Sequence, residues 1–232
     1  MNSKKLSNIE LYYSPASLRE TNRIRVQGEE SIHILKVMRH KIDDEIYITD
    51  GIGSIFKTII KKSDKDYIEA QIIDEYKTVN QLKNIFFCIP KLKSSDRFET
   101  ALEKCTELGI TNFIVYDSER TIHKGNKTQR WQKILTSAMK QSLRSFLPDI
   151  LIVNSLKEIE AKKGGKIIFS QEADQTFQKA QINSNSDYYF IFGPEGDFTN
   201  DEKNLFTAGE FYNLGICRLR SETAIIKCAS LL

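Results

Sequence analysis

Apolar residues recur along this chain in two rhythms. In the first 75 residues they come in short alternating runs: Ile24 to Val26, Glu45 to Asp50, Ser54 to Ile60 and Tyr67 to Ile73. Such β-branched alternation across the Gly51-Ile52-Gly53 turn and the Ser63 to Asp66 turn predicts hairpin-connected strands. Between them Glu29 to Arg39 (EESIHILKVMR) places Ile32, Leu35, Val37 and Met38 on one helical face. Several short strands and one helix suggest a small β-barrel. Residues 75–83 (EYKTVNQLK) are polar, so a domain boundary is expected near 76–82.

Beyond that boundary strand and helix signals alternate. IFFCIP (85–90), TNFIVY (111–116), DILIV (149–153), KIIFS (166–170) and YYFIF (188–192) read as strands. Asp96 to Leu108 reads as a helix closed by Gly109, Thr128 to Phe146 as a long helix closed by Pro148, and Ser155 as the cap of a short helix ending at Gly164-Gly165. Two C-terminal helices follow YYFIF. This order predicts an α/β fold, a parallel sheet with helices on both faces.

The densest signals lie between Tyr188 and Cys228. The run YYFIF stops at Gly193-Pro194-Glu195-Gly196, and Thr199 with Asp201 and Glu202 then gives a helix start, where acidic residues suit the helix dipole. Leu214-Gly215 makes a second glycine turn, and Arg220-Ser221-Glu222-Thr223-Ala224 opens a last apolar helix. A strand ending in a glycine turn at a helix N-terminus is the usual ligand position in an open α/β sheet.

Composition narrows the picture. The 232 residues are 40% hydrophobic and 28% charged, as in an ordinary globular protein, and suffice for one large or two modest domains. No apolar run reaches the ~20 residues of a membrane span, and the start MNSKKLSNIE lacks a signal-peptide core, so a cytoplasmic location is expected. Cys88, Cys105, Cys217 and Cys228 show no zinc-type spacing and read as reduced thiols. His33, His40 and His123 lie apart without acidic or cysteine partners at ligand spacing, so no metal is expected. The net charge of +3 identifies no partner, but its distribution is uneven. Residues 1–41 carry eight Lys/Arg (Lys4, Lys5, Arg19, Arg23, Arg25, Lys36, Arg39, Lys41) against four acids; residues 117–147 carry seven (Arg120, Lys124, Lys127, Arg130, Lys133, Lys140, Arg144) against Asp117 and Glu119. Two basic segments suit a nucleic-acid backbone or two solvated faces.

Gly193-Pro194-Glu195-Gly196 lacks the Lys-Ser/Thr of a phosphate loop and the spacing of a dinucleotide loop. It reads as a ligand turn or a plain connector, with Glu195 a buried acid, a hydroxyl acceptor or a turn residue. Arg220 and Glu222 read either as a substrate clamp with a proton acceptor or as a cap and its salt-bridge partner. Cys217 and Cys228 have no histidine beside them, which makes a thiol nucleophile a minor reading.

Taken in order, these motifs resemble the ribosomal RNA small subunit methyltransferase E family, in the SPOUT class. The residues that carry it are GPEG-x-F (193–198) and LG-x-x-R-L-R-x-E-T-A, which this chain fills as Leu214-Gly215, Cys217-Arg218-Leu219-Arg220 and Glu222-Thr223-Ala224. Upstream stand Lys93-x-x-x-Arg97-x-Glu99, Lys104-x-x-Glu107-Leu108-Gly109, Glu119-Arg120-Thr121, Arg130-Trp131-x-Lys133-Ile134 and Gln141-Ser142-x-Arg144 with Pro148. The resemblance spans nearly the whole chain, including HILKVMR (33–39) in a PUA-like barrel. It implies residues 1–76 as a PUA-like RNA-binding β-barrel and residues 82–232 as a SPOUT methyltransferase domain with a C-terminal trefoil knot. It implies S-adenosylmethionine as methyl donor, N3 of a uridine in 16S rRNA of the small ribosomal subunit as acceptor, and a homodimer. Carried over by position, the cofactor pocket is Gly193, Pro194, Glu195, Gly196, Leu214, Gly215, Leu219, Arg220, Glu222 and Thr223, with Phe169 to Glu172 as the remaining wall. Arg220 and Glu222 are the catalytic candidates. Arg23, Arg25, Arg39, Arg97, Arg120 and Arg144 are the expected RNA contacts.

The sequence departs from the family pattern at Asp197, where a glycine is common, at Ser137 and Lys140, where many relatives have glutamate, and at Cys217-Arg218, in place of the more usual Arg-Ile. Physically the two readings agree. Methyl transfer needs positioning above all, glycine turns can grip a ligand through backbone groups, and a guanidinium can steady a developing uridinate. Rival expectations are a methyltransferase of the same class acting on tRNA or a ribose 2′-OH, and an RNA-binding assembly factor without catalysis.

Overall fold

The computed structural model describes residues 8–120, 125, 127–183 and 185–232; Lys4, Lys5, Thr121, His123 and Lys124 lie outside the described residues. Contacts divide the chain into two units, Met1–Asn80 with Met139–Leu147, and Gln81–Ala138 with Pro148–Leu232.

In the first unit β1 (Leu11–Tyr13), β2 (Arg23–Gln27), β3 (Glu45–Thr49), β4 (Ser54–Ser63) and β5 (Tyr67–Lys77) form one sheet in the order β1-β3-β4-β5-β2. Only β1 and β3 pair in parallel. The alternation read from sequence sets the register, with Ile48 opposite Phe56, Ile60 opposite Ala70 and Val26 opposite Ile68. All six belong to a single buried core with Tyr12, Ile24, Ile34 and Ile46. β1 is too short to show alternation and was not expected.

The expected helix over 29–39 forms with a different inner face. A single α-turn, α1 (Glu29–Ile32), passes into a π-helical turn at His33–Val37. The wider π-turn rotates the following side chains relative to an α-helix. Ser31 and Ile34 are buried and Leu35 packs against the core, whereas Ile32, Met38 and especially Val37, 62% accessible, face outward. His40 is held by neighbours, its Nε2 3.2 Å from the Tyr12 hydroxyl and its Nδ1 3.3 Å from Asp44.

The second unit is built on six strands, all parallel: β6 (Ile85–Pro90), β7 (Asn112–Tyr116), β8 (Asp149–Val153), β9 (Gly165–Phe169), β10 (Tyr188–Phe192) and β11 (Glu210–Tyr212). Their order is β11-β9-β10-β6-β7-β8. The chain moves outward from β6 through β7 to β8, then resumes on the other side of β6, so β6 and β10 flank a switch point. Alternate residues serve opposite faces. Phe87, Phe113, Phe169, Phe190 and Phe192 join a core covered by α2 (Ser95–Glu107), α3 (Thr128–Gln141) and α6 (Ser221–Ser230). Cys88, Ile114, Ile168, Tyr189 and Ile191 join a second core covered by α4 (Leu156–Glu160) and by Phe198, Leu205 and Phe206 around α5 (Asn200–Asn204). This is the expected sheet with helices on both faces. The three-residue β11 carries no period of its own and was not foreseen.

The long helix expected to reach Phe146 stops at Gln141. Leu143 adopts a left-handed backbone (φ 56°), and Arg144 N–H bonds the Met139 carbonyl at 2.9 Å. Residues 145–147 then pair inside the first unit: Gly53 N–H donates to Ser145 O at 2.9 Å and Leu147 N–H to Gly51 O at 2.8 Å. The Phe146 ring occupies the space a Cβ on Gly53 would need, 2.7 Å away, which explains the glycine. Lys140 bonds Glu30 at 2.7 Å.

Cys88, Cys105 and Cys228 are buried free thiols, which burial pushes well above the ordinary cysteine range; Cys217 is exposed.

Phe190 is fully buried against Phe87, Phe169 and Phe177. Phe190→Ala is expected to cost about 3–5 kcal/mol, read as a lower urea midpoint, whereas Ile216→Ser, at a fully exposed side chain, should leave it unchanged.

Candidate functional site

The C-terminal end of β10 is fixed from below. The buried Tyr116 hydroxyl donates to the Phe192 carbonyl at 2.5 Å, and burial raises this phenol well above its ordinary pKa. The chain then turns through Gly193-Pro194-Glu195-Gly196, closed by Asp197 N–H bonding Pro194 O at 3.0 Å. Asp197 sits at φ 59°, a left-handed position that glycine fills most easily and aspartate tolerates. Arg120 donates through Nη1 to the Gly196 carbonyl and lies alongside its α-carbon. Beyond the turn, Thr199 and Glu202 form a capping box on α5. Glu202 is nearly fully buried and accepts from Thr199 N at 2.8 Å and from Glu119 N at 2.9 Å, joining the turn's exit to the segment after β7.

Two other segments meet this turn. After β9 come Ser170 and Gln171. After β11, Asn213 holds the link to α6, accepting from Gly215 N at 3.0 Å and donating to Ala173 O at 2.7 Å. Gly215 has φ 129°, outside the range of ordinary residues, and the Gln171 amide reaches its carbonyl at 3.4 Å. Together with Arg97 from α2, these segments enclose a cavity of about 530 Å³ at the C-terminal ends of β9 and β10. The carboxyl ends of the strands are where an open parallel sheet takes its ligand.

The cavity has an apolar floor of Phe169, Phe192, Leu214, Leu219 and Ala224. Glu195 and Asp197 bring acid to one part of the wall; Arg97, Arg218 and Arg220 bring positive charge to another. Glu195 Oε2 accepts from Lys93 N at 3.0 Å, so this residue also braces the turn. Lys203 lies 2.8 Å from Glu172 and 3.3 Å from Asp197, and these carboxylates, Glu172 foremost, hold its ammonium above the usual lysine value. Arg97 Nε stands 3.5 Å from Glu222 Oε1, while Glu222 Oε2 is buried without a hydrogen-bond partner. Arg220, at the α6 N-terminus, is exposed, and its guanidinium has no ion-pair partner among the described residues. Arg97 is therefore anchored while Arg220 is free.

The structure brings Gly193, Pro194, Glu195, Leu214, Gly215, Leu219 and Arg220 to one cavity wall. Gly196, Glu172, Glu222 and Thr223 stand outside it. Gly196 is turned to Arg120, Glu172 to Lys203 and Glu222 to Arg97, and Thr223 is exposed on α6. Phe169, Ser170 and Gln171 line the cavity as the expected remaining wall; Asp197 and Arg218 line it without having been assigned to the pocket, and Arg97, expected as an RNA contact, also lines it. In the second unit Arg120 braces the glycine turn. In the first, Arg25 lies 2.6 Å from Glu69 and stacks over Tyr67, Arg23 lies 3.8 Å from Glu69, Arg39 is exposed at φ 60°, and Arg144 belongs to the segment after α3. Among the described residues no group of His, Cys, Asp or Glu is arranged to hold a metal ion. The cavity suits an amphiphilic ligand, with a planar or apolar body on the floor and charges of both signs at its ends.

Residues 80–232 match the family model described as RNA methyltransferase domain, and residues 26–73 the one described as RNA methyltransferase PUA domain. Ribosomal RNA small subunit methyltransferase E of Bacillus subtilis is 27% identical over 230 residues, covering 89% of this chain and 88% of that protein. The protein of the same name from Aquifex aeolicus is 26% identical over 210 residues, 88% of this chain and 91% of its own. The crystal structure of ribosomal RNA small subunit methyltransferase E from Neisseria gonorrhoeae bound to S-adenosyl methionine superposes with a TM-score of 0.83 at 28% identity, covering 96% of this chain and 95% of that one.

Because Glu202 offers two charged acceptors to two backbone N–H groups, Glu202→Gln turns one acceptor into a donor facing an N–H. A loss of about 1–3 kcal/mol in urea denaturation is expected, with no comparable loss for the exposed Asn200→Gln.

Proposed function

We propose that this chain, which belongs to the RNA methyltransferase family, transfers a methyl group from S-adenosylmethionine to N3 of a uridine in 16S ribosomal RNA. The observation that carries the reading is the free Arg220 guanidinium at the mouth of a glycine-walled, amphiphilic cavity. Relatives named for ribosomal RNA methylation, one of them solved with S-adenosyl methionine, support it.

The residues present fit that cofactor. A cavity of about 530 Å³ lies in the range of pockets that enclose a ligand of this size. The apolar floor accepts an adenine ring. The turns at Gly193 and Gly215 expose backbone groups without side-chain bulk, and the acidic and cationic parts of the wall complement a ligand carrying both charges. When bound, S-adenosylmethionine supplies an electrophilic methyl: the S–C bond breaks with its electron pair left on sulfur, as the N3–C bond forms and the N3 proton departs.

The remaining work falls to this chain. Loss of the proton from N3 spreads negative charge over the uracil oxygens, and the Arg220 guanidinium stabilises it in a partly desolvated setting. Glu195, exposed on the cavity wall, is the carboxylate placed to accept the proton. Glu222, also a candidate from sequence, is shut in beside Arg97 and acts by positioning that arginine. Arg23, Arg25, Arg39, Arg97, Arg120 and Arg144 would meet the RNA backbone, with Arg25 exchanging Glu69 for phosphate. The reading carries with it a homodimer, a C-terminal trefoil knot and work in the cytoplasm. Among the described residues no helix is long and apolar enough to cross a membrane.

Arg220→Ala is expected to lower single-turnover methyl transfer by roughly 10²-fold while changing S-adenosylmethionine affinity only slightly. Equal losses in both would refute the division of roles. In a strain lacking the gene, mass spectrometry of 16S rRNA nucleosides should show 3-methyluridine lost, regained with the intact chain and not with Arg220→Ala. An unchanged 3-methyluridine level overturns the choice of acceptor.

A further inference from the structure

Asp197 is the cavity carboxylate that shares its ion-pair partner with a second acid. Its Oδ2 lies 3.3 Å from Lys203 Nζ, yet that ammonium lies closer to Glu172, at 2.8 Å. One cation thus serves two carboxylates. Oδ1 has no hydrogen-bond partner among the described residues and lies 3.4 Å from the point a Cβ on Gly193 would occupy, beside the strand end that forms the wall. The side chain is 43% accessible, so its charge is only partly screened by water. Glu195 adds a second carboxylate on the same turn, and the three arginines of the wall, Arg97, Arg218 and Arg220, come from α2 and from the link into α6. Around the glycine turn the two carboxylates Glu195 and Asp197 thus face the cavity, with Lys203 and, at the Gly196 carbonyl, Arg120 as the cations beside them.

We infer that Asp197, its charge partly offset by Lys203, makes the cavity select the positively charged methyl donor over the neutral thioether that remains after transfer. This rests on the proposed cofactor. The donor and the spent product share adenine, ribose, amino and carboxylate groups, so the floor and the arginines treat them alike. They differ by one methyl group and by the unit positive charge on sulfur. A carboxylate facing the cavity acts on that difference through Coulomb attraction, which falls slowly with distance in a half-desolvated site. Uniform contacts cannot discriminate between two ligands that make them equally; only a group that sees the difference can. Weaker holding of the thioether also clears the cavity for the next donor.

Lys203 gives the inference its second, opposite arm. Removing the Asp197 charge should weaken selection. Removing the Lys203 charge should leave both carboxylates less compensated and strengthen it. Calorimetric titration of the full chain, as wild type, Asp197→Asn and Lys203→Met, with S-adenosylmethionine and with S-adenosylhomocysteine at one ionic strength gives the ratio of the two dissociation constants within each protein. A fault of folding cancels in that ratio. Asp197→Asn is expected to lower the preference for the donor by about three- to tenfold, chiefly by weakening the donor, and Lys203→Met to raise it. An unchanged ratio in Asp197→Asn, or an equal weakening of both ligands, overturns the role of Asp197 and leaves the methyltransferase reading intact. If wild type binds neither ligand, the cofactor reading falls and this inference with it.

Discussion

Burial of both faces of a parallel sheet is the constraint on which the second unit depends. The inner strands send alternate side chains into two separate cores, so Phe87 and Cys88, or Phe169 and Ile168, face opposite ways and are both shut off from water, while edge strand β8 leaves Asp149 and Leu151 exposed. With both faces covered, open surface is left at the strand ends. At β6 and β10 the strand order reverses, and the cavity opens beside that point, at the ends of β9 and β10. Binding groups are thereby confined to the turns that leave the strands, and the packing beneath them sets their positions. The Tyr116 hydroxyl under Phe192 and Glu202 beyond the turn place a short irregular loop with the accuracy of the core itself.

Within that frame the cavity separates two kinds of task. Backbone-lined turns at Gly193 and Gly215 and an apolar floor give shape. Charged side chains give direction, and their freedom differs. Arg97 is tethered to Glu222 and Glu195 to a backbone N–H, while Arg220 has no ion-pair partner among the described residues. A tethered group holds geometry; a free one can follow charge as it develops on a substrate.

How far the sequence disclosed this depended on how local each cause was. The unbroken apolar runs IFFCIP and YYFIF suit strands buried on both faces, and the Thr199–Glu202 cap and both glycine turns are encoded in a few adjacent residues. The π-turn at His33–Val37 defeated a simple helical wheel, because one extra residue per turn moved Val37 outward and Ile34 inward. The end of α3 was misjudged for another reason. Ser142 to Leu147 keep a helical composition but are claimed by partners near Gly51 and Gly53, some ninety residues earlier in the chain. The same holds at the site. Gly193, Leu214 and Arg220 were legible from motif. Ser170 and Gln171 were legible as part of the Phe169 to Glu172 wall; the wall position of Arg97 comes from a distant segment, and nothing in the sequence around Glu222 shows that its partner is an arginine on α2.

The segment Met139–Leu147 also constrains how the molecule is made. The first unit takes Gly53, Gly51 and Glu30 from the start of the chain and their partners Ser145, Leu147 and Lys140 from beyond its midpoint. During synthesis the β-strands of residues 11–77 can pair as they emerge, but their loop at 51–53 stays open until residue 147 has been made. By then β6, α2, β7 and α3 of the second unit have also been made. Long-range closure of this kind slows folding relative to local pairing. The two units are accordingly interleaved in time as well as in sequence, and the N-terminal sheet is finished only after part of the methyltransferase domain exists.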